Sequence, residues 1–178
     1  MSLKASFVSF LMKKYPRLDS SRLENGVSDQ LISPFQVEIS SNQLEKIQSE
    51  ISCYWNLRNW GIENLKSSYD SKQLHTPDNF SVCMSYDFHI NSENQLELIE
   101  INTNAAFLAL GVEMYEFMNI NRPIATFNEN ALVEMFFNEL RLCNSIDNSV
   151  AIIDEQPHLQ KLFVEFLIFQ QMFQKNKI

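Results

Sequence analysis

Glycine is scarce in this sequence: the 178 residues contain only Gly26, Gly61 and Gly111, and these stand far apart. Nucleotide sites built on a strand, a loop and a helix need closely spaced glycines, because only glycine lets the backbone come close to the phosphates. The chain as given therefore contains neither a P-loop nor a dinucleotide-binding fingerprint.

Cysteine is scarce as well. Cys53, Cys83 and Cys143 are odd in number and widely spaced, and no two of them form a CxxC pair. This pattern argues against a disulfide framework and against a structural zinc site. We therefore expect buried, reduced thiols and a cytoplasmic location.

Basic residues and long apolar runs are also lacking. Lys and Arg total 14 against 22 Asp and Glu, which gives a net charge of −8. Such a charge repels phosphate backbones and anionic lipid, so we expect neither nucleic acid nor a membrane surface as a partner. No run approaches the roughly 18 apolar residues of a membrane-spanning helix. Hydrophobic residues nevertheless make up 45% of the chain, enough for the core of one domain or slightly more.

The sequence divides into three parts. Residues 1–33 predict an amphipathic helix, with Phe7, Phe10 and Leu11 on one side, followed by an irregular polar arm over 15–33. Residues 34–145 predict a unit organised around a hairpin, and residues 146–178 predict the strand and helix that open a second α/β unit.

Several elements are predicted from local patterns. Alternating polarity in FQVEIS after Pro34 predicts a short half-exposed strand, and Asn42 with Glu45 predicts the start of a helix that reaches Leu65. Residues 105–118 and 130–143 are helical by propensity and spacing. Thr126 and Glu129 are a candidate capping box for the second of these helices.

Two alternating runs predict a β-hairpin. The first follows Phe80, and the second is LELIEIN, with Leu96, Leu98, Glu100 and Asn102 predicted on one face. A register that pairs Asp87 with Glu100 also pairs Ser85 with Asn102 and His89 with Leu98. Partners across a hairpin share a face, with Cβ atoms about 5 Å apart.

The pair Asp87 and Glu100 is the strongest candidate for chemistry. Two opposed carboxylates repel each other, and either a divalent cation or a shared proton relieves that repulsion. Two carboxylates with the amide oxygen of Asn102 form a hard ligand set, which suits Mg²⁺ or Mn²⁺ better than zinc. The simpler alternative is a polar hairpin face in solvent, with His89 as an ordinary surface histidine.

The C-terminal part predicts a buried strand, SVAIID over 149–154, and a helix with Pro157 in its first turn. Apolar side chains nearly encircle that helix between Phe163 and Phe169. We therefore expect it to pack outward and to support a homo-oligomer, unless the rest of the chain covers it. The predicted fold class is α/β or α+β, with an antiparallel hairpin-based sheet flanked by helices.

The segment YDFHINSENQLELIEINTNA, residues 86–105, resembles the closing hairpin of the ATP-grasp ligases, the fold of glutathione synthetase. In that family an Asp and a Glu-x-Asn hold the Mg²⁺ ions that bridge the ATP phosphates, and Asp87, Glu100 and Asn102 match them. With VAIIDEQPHLQKLFVEFLIFQ, residues 150–170, the chain is most similar to uncharacterised bacterial ATP-grasp-like proteins of permuted order. The resemblance covers residues 34–178, and it implies Mg²⁺ (or Mn²⁺) and ATP as cofactors. Ser85 and Asn104 are the neighbouring candidates for cofactor binding.

The chain departs from that family at two points. INTN is followed by Ala105, Ala106 and Phe107 instead of a glycine pair, and no lysine occurs between Lys72 and Lys161. The resemblance therefore implies a fragment of an ATP- and Mg-dependent carboxylate–amine ligase that is not catalytic on its own. The alternatives are a non-catalytic dimerising or partner-binding module, and a half-enzyme that a second chain completes.

Overall fold

The chain is an α+β fold in which a two-stranded antiparallel sheet is flanked by helices. The computed structural model describes residues 2–33, 35–65, 80–124, 127–143 and 149–178. In chain order the elements are α1 (Leu3–Lys14), α2 (Ser20–Gly26), α3 (Ser41–Asn64), β1 (Ser85–Ile90), β2 (Leu96–Asn102), α4 (Leu108–Met118), α5 (Glu129–Leu142), a 3₁₀ helix (Pro157–Leu159) and α6 (Phe163–Asn176). The predicted hairpin-based sheet with flanking helices is confirmed.

Helices from both ends of the chain and from its middle enclose the hydrophobic core. Its fully buried members include Phe7, Leu11, Leu23, Leu110, Leu132 and Ile168, which come from α1, α2, α4, α5 and α6. The predicted apolar side of α1 is confirmed, with Phe7 and Leu11 in the core. All three parts predicted from the sequence thus contribute to one core.

The last helix, α6, lies inside this core. Phe163, Val164, Leu167, Ile168, Phe169, Met172 and Phe173 are all buried by the chain's own helices. The expectation that α6 packs outward is therefore wrong, because α1, α2, α4 and α5 supply its apolar partners. Self-association stays a prediction, but the apolar surface of α6 no longer argues for it.

The long helix α3 lies beside the hairpin and outside the core. It begins at a capping box in which Gln43 N–H donates to Ser40 Oγ (3.2 Å) and Ser40 N–H donates to Gln43 Oε1 (2.9 Å). The helix thus starts slightly before Asn42, where the sequence predicts its start. None of its residues is buried. Its aromatic side chains contact the sheet region, with ring centroids 6.5 Å apart for Tyr54 and Tyr86.

Two predicted strands do not form. Residues 35–39 and 149–154 have no strand partner among the described residues, whose sheet consists of β1 and β2 alone. A strand needs a neighbour for its backbone N–H and C=O groups, and neither the alternating polarity of 35–39 nor the continuous apolar run of 149–154 provides one. Phe35, Val37 and Ile153 are accordingly 84%, 87% and 89% exposed.

Other boundaries also differ from the predictions. The arm over 15–33 contains α2, which Asp19 caps by accepting the N–H of Arg22 at 2.9 Å, so it is not wholly irregular. The N-cap of α5 is Asn128, while the predicted capping residue Thr126 lies outside the described residues. Pro157 opens a 3₁₀ helix, and α6 begins only at Phe163.

The cysteines are less buried than predicted. Cys53 and Cys143 are exposed, so the expectation of buried thiols is wrong for both, since α3 and the end of α5 lie at the surface. Cys83 is half-buried, and burial raises the pKa of its thiol to about 11. Among the described helices, none combines the length and the apolar composition needed to cross a membrane.

Candidate metal centre

The turn between β1 and β2 sets the position of each strand. The side-chain oxygen of Asn91 accepts the backbone N–H groups of Glu93 (3.0 Å) and Gln95 (2.9 Å). Asn94 has a φ of 61°, a left-handed conformation that asparagine tolerates well. The Asn91 N–H also donates to the Gln95 carbonyl at 3.0 Å, which closes the turn.

The predicted register is confirmed at the candidate site. Asp87 lies opposite Glu100, and Ser85 lies opposite Asn102. Because cross-strand partners share a face of the sheet, these four side chains project from the same side. The sequence therefore predicted correctly which two carboxylates the fold brings together.

A β-bulge follows this pair, and the sequence reading missed it. Phe88 pairs with Leu98 and His89 pairs with Glu97, so Ile99 is an extra residue on β2. The predicted pairing of His89 with Leu98 is wrong, and so is the face predicted for Leu96 and Leu98. With the bulge, both leucines join the face that carries Phe88, while Glu100 stays on the polar face.

The polar face of the hairpin is acidic and lacks neutralising partners. Its members, from both strands, are Ser85, Asp87, His89, Glu97, Glu100 and Asn102. Asp87 and Glu100 are exposed, and neither forms an ion pair with a described Lys, Arg or His. Glu97 accepts a hydrogen bond from Asn91 Nδ2 at 2.8 Å. No positive charge among the described residues therefore offsets the repulsion between Asp87 and Glu100, which for two unit charges 4 Å apart in water is on the order of 1 kcal/mol.

Asn102 orients Glu100. Its Nδ2 lies 3.0 Å from Glu100 Oε1 and 3.5 Å from Ser85 Oγ, so the amide donates toward the carboxylate. As a metal ligand Asn102 would use Oδ1, the other end of the same amide. Rotation of the amide group by half a turn exchanges the positions of Oδ1 and Nδ2.

Asn104 lies farther along, in the exposed turn after β2. That turn is attached to the segment before β1, where Ser81 Oγ donates to the Thr103 carbonyl and the Ala105 N–H donates to the Cys83 carbonyl at 2.7 Å. Among the described residues Asn104 makes no side-chain hydrogen bond. The structure thus brings Ser85 to the carboxylate pair and leaves Asn104 outside it.

The donor set fits a hard cation that keeps part of its water shell. Within the described ranges, no group of three or more His, Cys, Asp or Glu side chains is arranged to hold a metal. The candidate ligands are two carboxylates with an amide and a hydroxyl, all of them oxygen donors. Mg²⁺ is typically bound by one or two carboxylates plus water, whereas zinc sites use nitrogen and sulfur.

The sequence did not reveal a buried carboxylate that bonds to the start of α4. Glu165 of α6 is 1% exposed and accepts the backbone N–H groups of Phe107, Ala109 (2.8 Å) and Leu110 (3.2 Å) at the start of α4. Burial raises the pKa of Glu165, and these three N–H groups only partly offset that effect. The available signal was a single acid within the apolar run FVEFLIF.

A second buried acid joins α4 to α1. Glu113 Oε1 accepts the Tyr15 hydroxyl at 2.7 Å, and Lys14 Nζ lies 2.8 Å from Glu113 Oε2 and 2.7 Å from Glu116. Burial raises the pKa of Glu113 despite the two donors. Burial lowers the pKa of Lys14, but the two carboxylates beside it outweigh that effect and hold it above the usual value.

Comparisons with known proteins assign neither a family nor a function to the chain. The chain matches no protein-family model, no curated protein and no solved structure. What can be said of its function therefore rests on the residues of the hairpin and of the helical core.

Proposed function

We propose that the hairpin binds Mg²⁺ or Mn²⁺ through Asp87, Glu100 and Asn102, on a partial ATP-grasp-like scaffold related to carboxylate–amine ligases. The observation that carries the proposal is the direct pairing of Asp87 with Glu100, which no basic side chain among the described residues neutralises. A divalent cation removes that repulsion and uses the oxygen donors already present. A cytoplasmic location belongs to the same proposal.

In the proposed role the chain is not catalytic on its own. The resemblance implies that ATP reaches the site as a metal complex, in which the ion supplies charge stabilisation at the phosphates. Ligases of that class also clamp ATP with lysines and a glycine-rich flap. The sequence has no lysine between Lys72 and Lys161 and only three glycines. Residues that hold the adenine and the triphosphate would have to come from outside these 178 residues.

Manganese titration tests the metal site directly. We expect the free Mn²⁺ signal in electron paramagnetic resonance to fall with a dissociation constant of roughly 10⁻⁴–10⁻³ M, as for weak carboxylate sites. Mg²⁺ should compete for the same site. Asp87→Asn and Glu100→Gln should each weaken binding by about tenfold or more, because each removes one charged ligand.

The matched control is Glu93→Gln, which removes the same charge from the exposed turn of the same hairpin. Equal Mn²⁺ binding by the wild type, Glu100→Gln and Glu93→Gln would reject the site, as would no binding at all. Calorimetry with ATP, in the presence and absence of Mg²⁺, then separates metal binding from nucleotide binding.

A partner-binding module is the second candidate, and one observation favours it. Large apolar side chains are exposed in the unpaired segments and on α3: Phe35, Val37, Leu57, Trp60, Ile153 and Leu159. A contiguous patch of exposed apolar side chains marks an interaction surface, and these side chains are the candidates for one. This candidate predicts association in sedimentation velocity that does not depend on ATP and that Val37→Glu weakens. A monomer at high protein concentration would contradict it.

A further inference from the structure

A second concave site lies away from the hairpin. It is a cavity of about 450 Å³ between α6, the segment 150–158 and the exposed side of α2. No residue of β1 or β2 lines it. Its volume falls within the range of small-molecule sites, which is roughly 300–1,000 Å³.

The floor of the cavity is an aromatic stripe of α6. Phe163, Phe166 and Phe173 line it together with Leu167, and these positions share one side of the helix. The Phe163 ring is further packed by His158, edge-on with centroids 4.8 Å apart. The stripe therefore offers a preformed apolar surface.

The opposite wall comes from the segment that was predicted to be a strand. Val150 and Ile152 line the cavity, whereas Ile153 points elsewhere and is 89% exposed. Pro157 and His158 close the wall at the 3₁₀ helix. Two residues of the apolar run 149–154 thus line the cavity, although the run forms no strand.

Among the described lining residues of the cavity, the charged side chain is basic, whereas the chain as a whole is acidic. The whole sequence has a net charge of −8, yet among the described residues no Asp or Glu side chain lines the cavity and Arg22 does. The Arg22 guanidinium forms no hydrogen bond or ion pair with any described residue. Gln170 and Gln174 add neutral amide donors from α6.

We propose that this cavity binds a small organic acid with an apolar body, such as a medium-length aliphatic carboxylate. The planar guanidinium of Arg22 pairs with the carboxylate, for which its two parallel N–H donors are well suited. The apolar body lies between the aromatic stripe of α6 and the wall formed by Val150 and Ile152. This site does not depend on the proposed metal site.

Octanoate and 1-octanol, an uncharged alcohol of the same length, are the probes. In calorimetry with the full chain we expect saturable binding of octanoate and at least tenfold weaker binding of the alcohol. Arg22→Gln should weaken octanoate binding about tenfold, as expected for the loss of a charge-assisted contact, and should leave the alcohol unaffected. Because Arg22 is exposed, its replacement should not impair folding.

Two further variants complete the test. Arg141→Gln removes an exposed arginine of α5 outside the cavity and should leave both affinities unchanged. Ile152→Glu puts a carboxylate into the wall and should abolish octanoate binding. Equal affinities for octanoate and octanol, no effect of Arg22→Gln, or no saturable octanoate binding up to millimolar concentration would each overturn the proposal.

Discussion

Phe107 and Glu165 form an unusual helix start. Phe107 precedes α4 with a φ of 83°, a left-handed conformation that costs a non-glycine residue roughly 1–2 kcal/mol. It provides no side-chain cap, and the backbone N–H groups bond to the carboxylate of Glu165 from another helix. Glycine, which adopts a positive φ without strain, would suit this backbone turn.

This conformation predicts that glycine gives a more stable fold than alanine at position 107, which is the reverse of their order inside a helix. We expect Phe107→Gly to be more stable than Phe107→Ala by up to about 1 kcal/mol, because both lose the ring but only glycine adopts a positive φ without strain. Urea denaturation of the two variants measures the difference. An alanine variant that is the more stable of the two would show that the left-handed turn is not retained.

The buried carboxylates predict a distinctive pH dependence. Burial raises the pKa of Glu113 and that of Glu165 above the usual 4.5. Between 4.5 and the raised values the folded chain therefore holds more protons than the unfolded chain. The free energy of unfolding should then fall as the pH rises from about 5 towards neutrality.

Urea denaturation between pH 5 and 8 checks this dependence, and Glu165→Gln should flatten it. The lowered pKa of Asp19 acts only below its usual value of 3.8, and the raised pKa values of Lys14 and Tyr15 act above pH 10. None of these three groups therefore contributes to the change in stability between pH 5 and 8. A free energy of unfolding that rises between pH 5 and 8 would contradict the burial of the Glu113 and Glu165 carboxylates.

The bulge at Ile99 lets one strand carry two incompatible patterns. Leu96 and Leu98 belong on the apolar face, and Glu100 and Asn102 belong on the polar face, yet all four stand at even spacing. One extra residue between the two halves resolves the conflict. Ile99 itself is 66% exposed.

Removing the bulge should therefore be tolerated. Deletion of Ile99 keeps Asp87 opposite Glu100 and Phe88 opposite Leu98, so we expect a change in unfolding free energy of about 1 kcal/mol or less. Deletion of Ile101 is the control, since it moves Asn102 onto the apolar face and should lower stability more. Thermal and urea unfolding of both variants test this. Equal losses would show that the bulge itself stabilises the hairpin.

Few contacts join α3 to the hairpin. α3 has no buried residue, and its contacts with the sheet region include the Tyr54–Tyr86 pair, the Trp55–Phe80 pair and a 2.9 Å hydrogen bond from Gln43 to Asn94. Helices held by few buried contacts open at lower free energy than core helices.

Hydrogen exchange should separate these two parts of the chain. We expect amides of α3, β1 and β2 to exchange faster than those of α4 and α6, which pack in the core. Tyr54→Ala should accelerate exchange in α3 and β1 and leave α6 unchanged. Uniform protection across α3 and α6 would refute the division.

For the molecule as a whole, the sequence predicted the local patterns well and the long-range partners poorly. The periodicity located Phe7 and Leu11 in the core, and the register of Asp87 with Glu100 followed from counting along two strands. Val37 and Ile153 were misassigned because neither alternating polarity nor a continuous apolar run reveals whether a neighbouring strand exists. Glu113 and Glu165 were missed because their burial depends on partners more than 50 residues away.

Because helices from both ends of the chain pack into one core, we expect the stability of the fold to depend on residues at both ends. Ile168→Ala should lower the free energy of unfolding by about 2–5 kcal/mol, since Ile168 is fully buried. Ile153→Ala, the matched change at an 89% exposed position, should alter it by less than about 0.5 kcal/mol. Urea denaturation gives both values, and a small effect at Ile168 would contradict the packing of α6.

The contact between Glu165 and the first turn of α4 has a consequence for any phosphate that approaches the hairpin. The start of a helix ordinarily attracts anions, because its first N–H groups are free to donate. In this chain three such donors are already committed to an internal acid. A nucleotide brought in by a cation at Asp87 and Glu100 could therefore not use the start of α4 as an anchor for its phosphates.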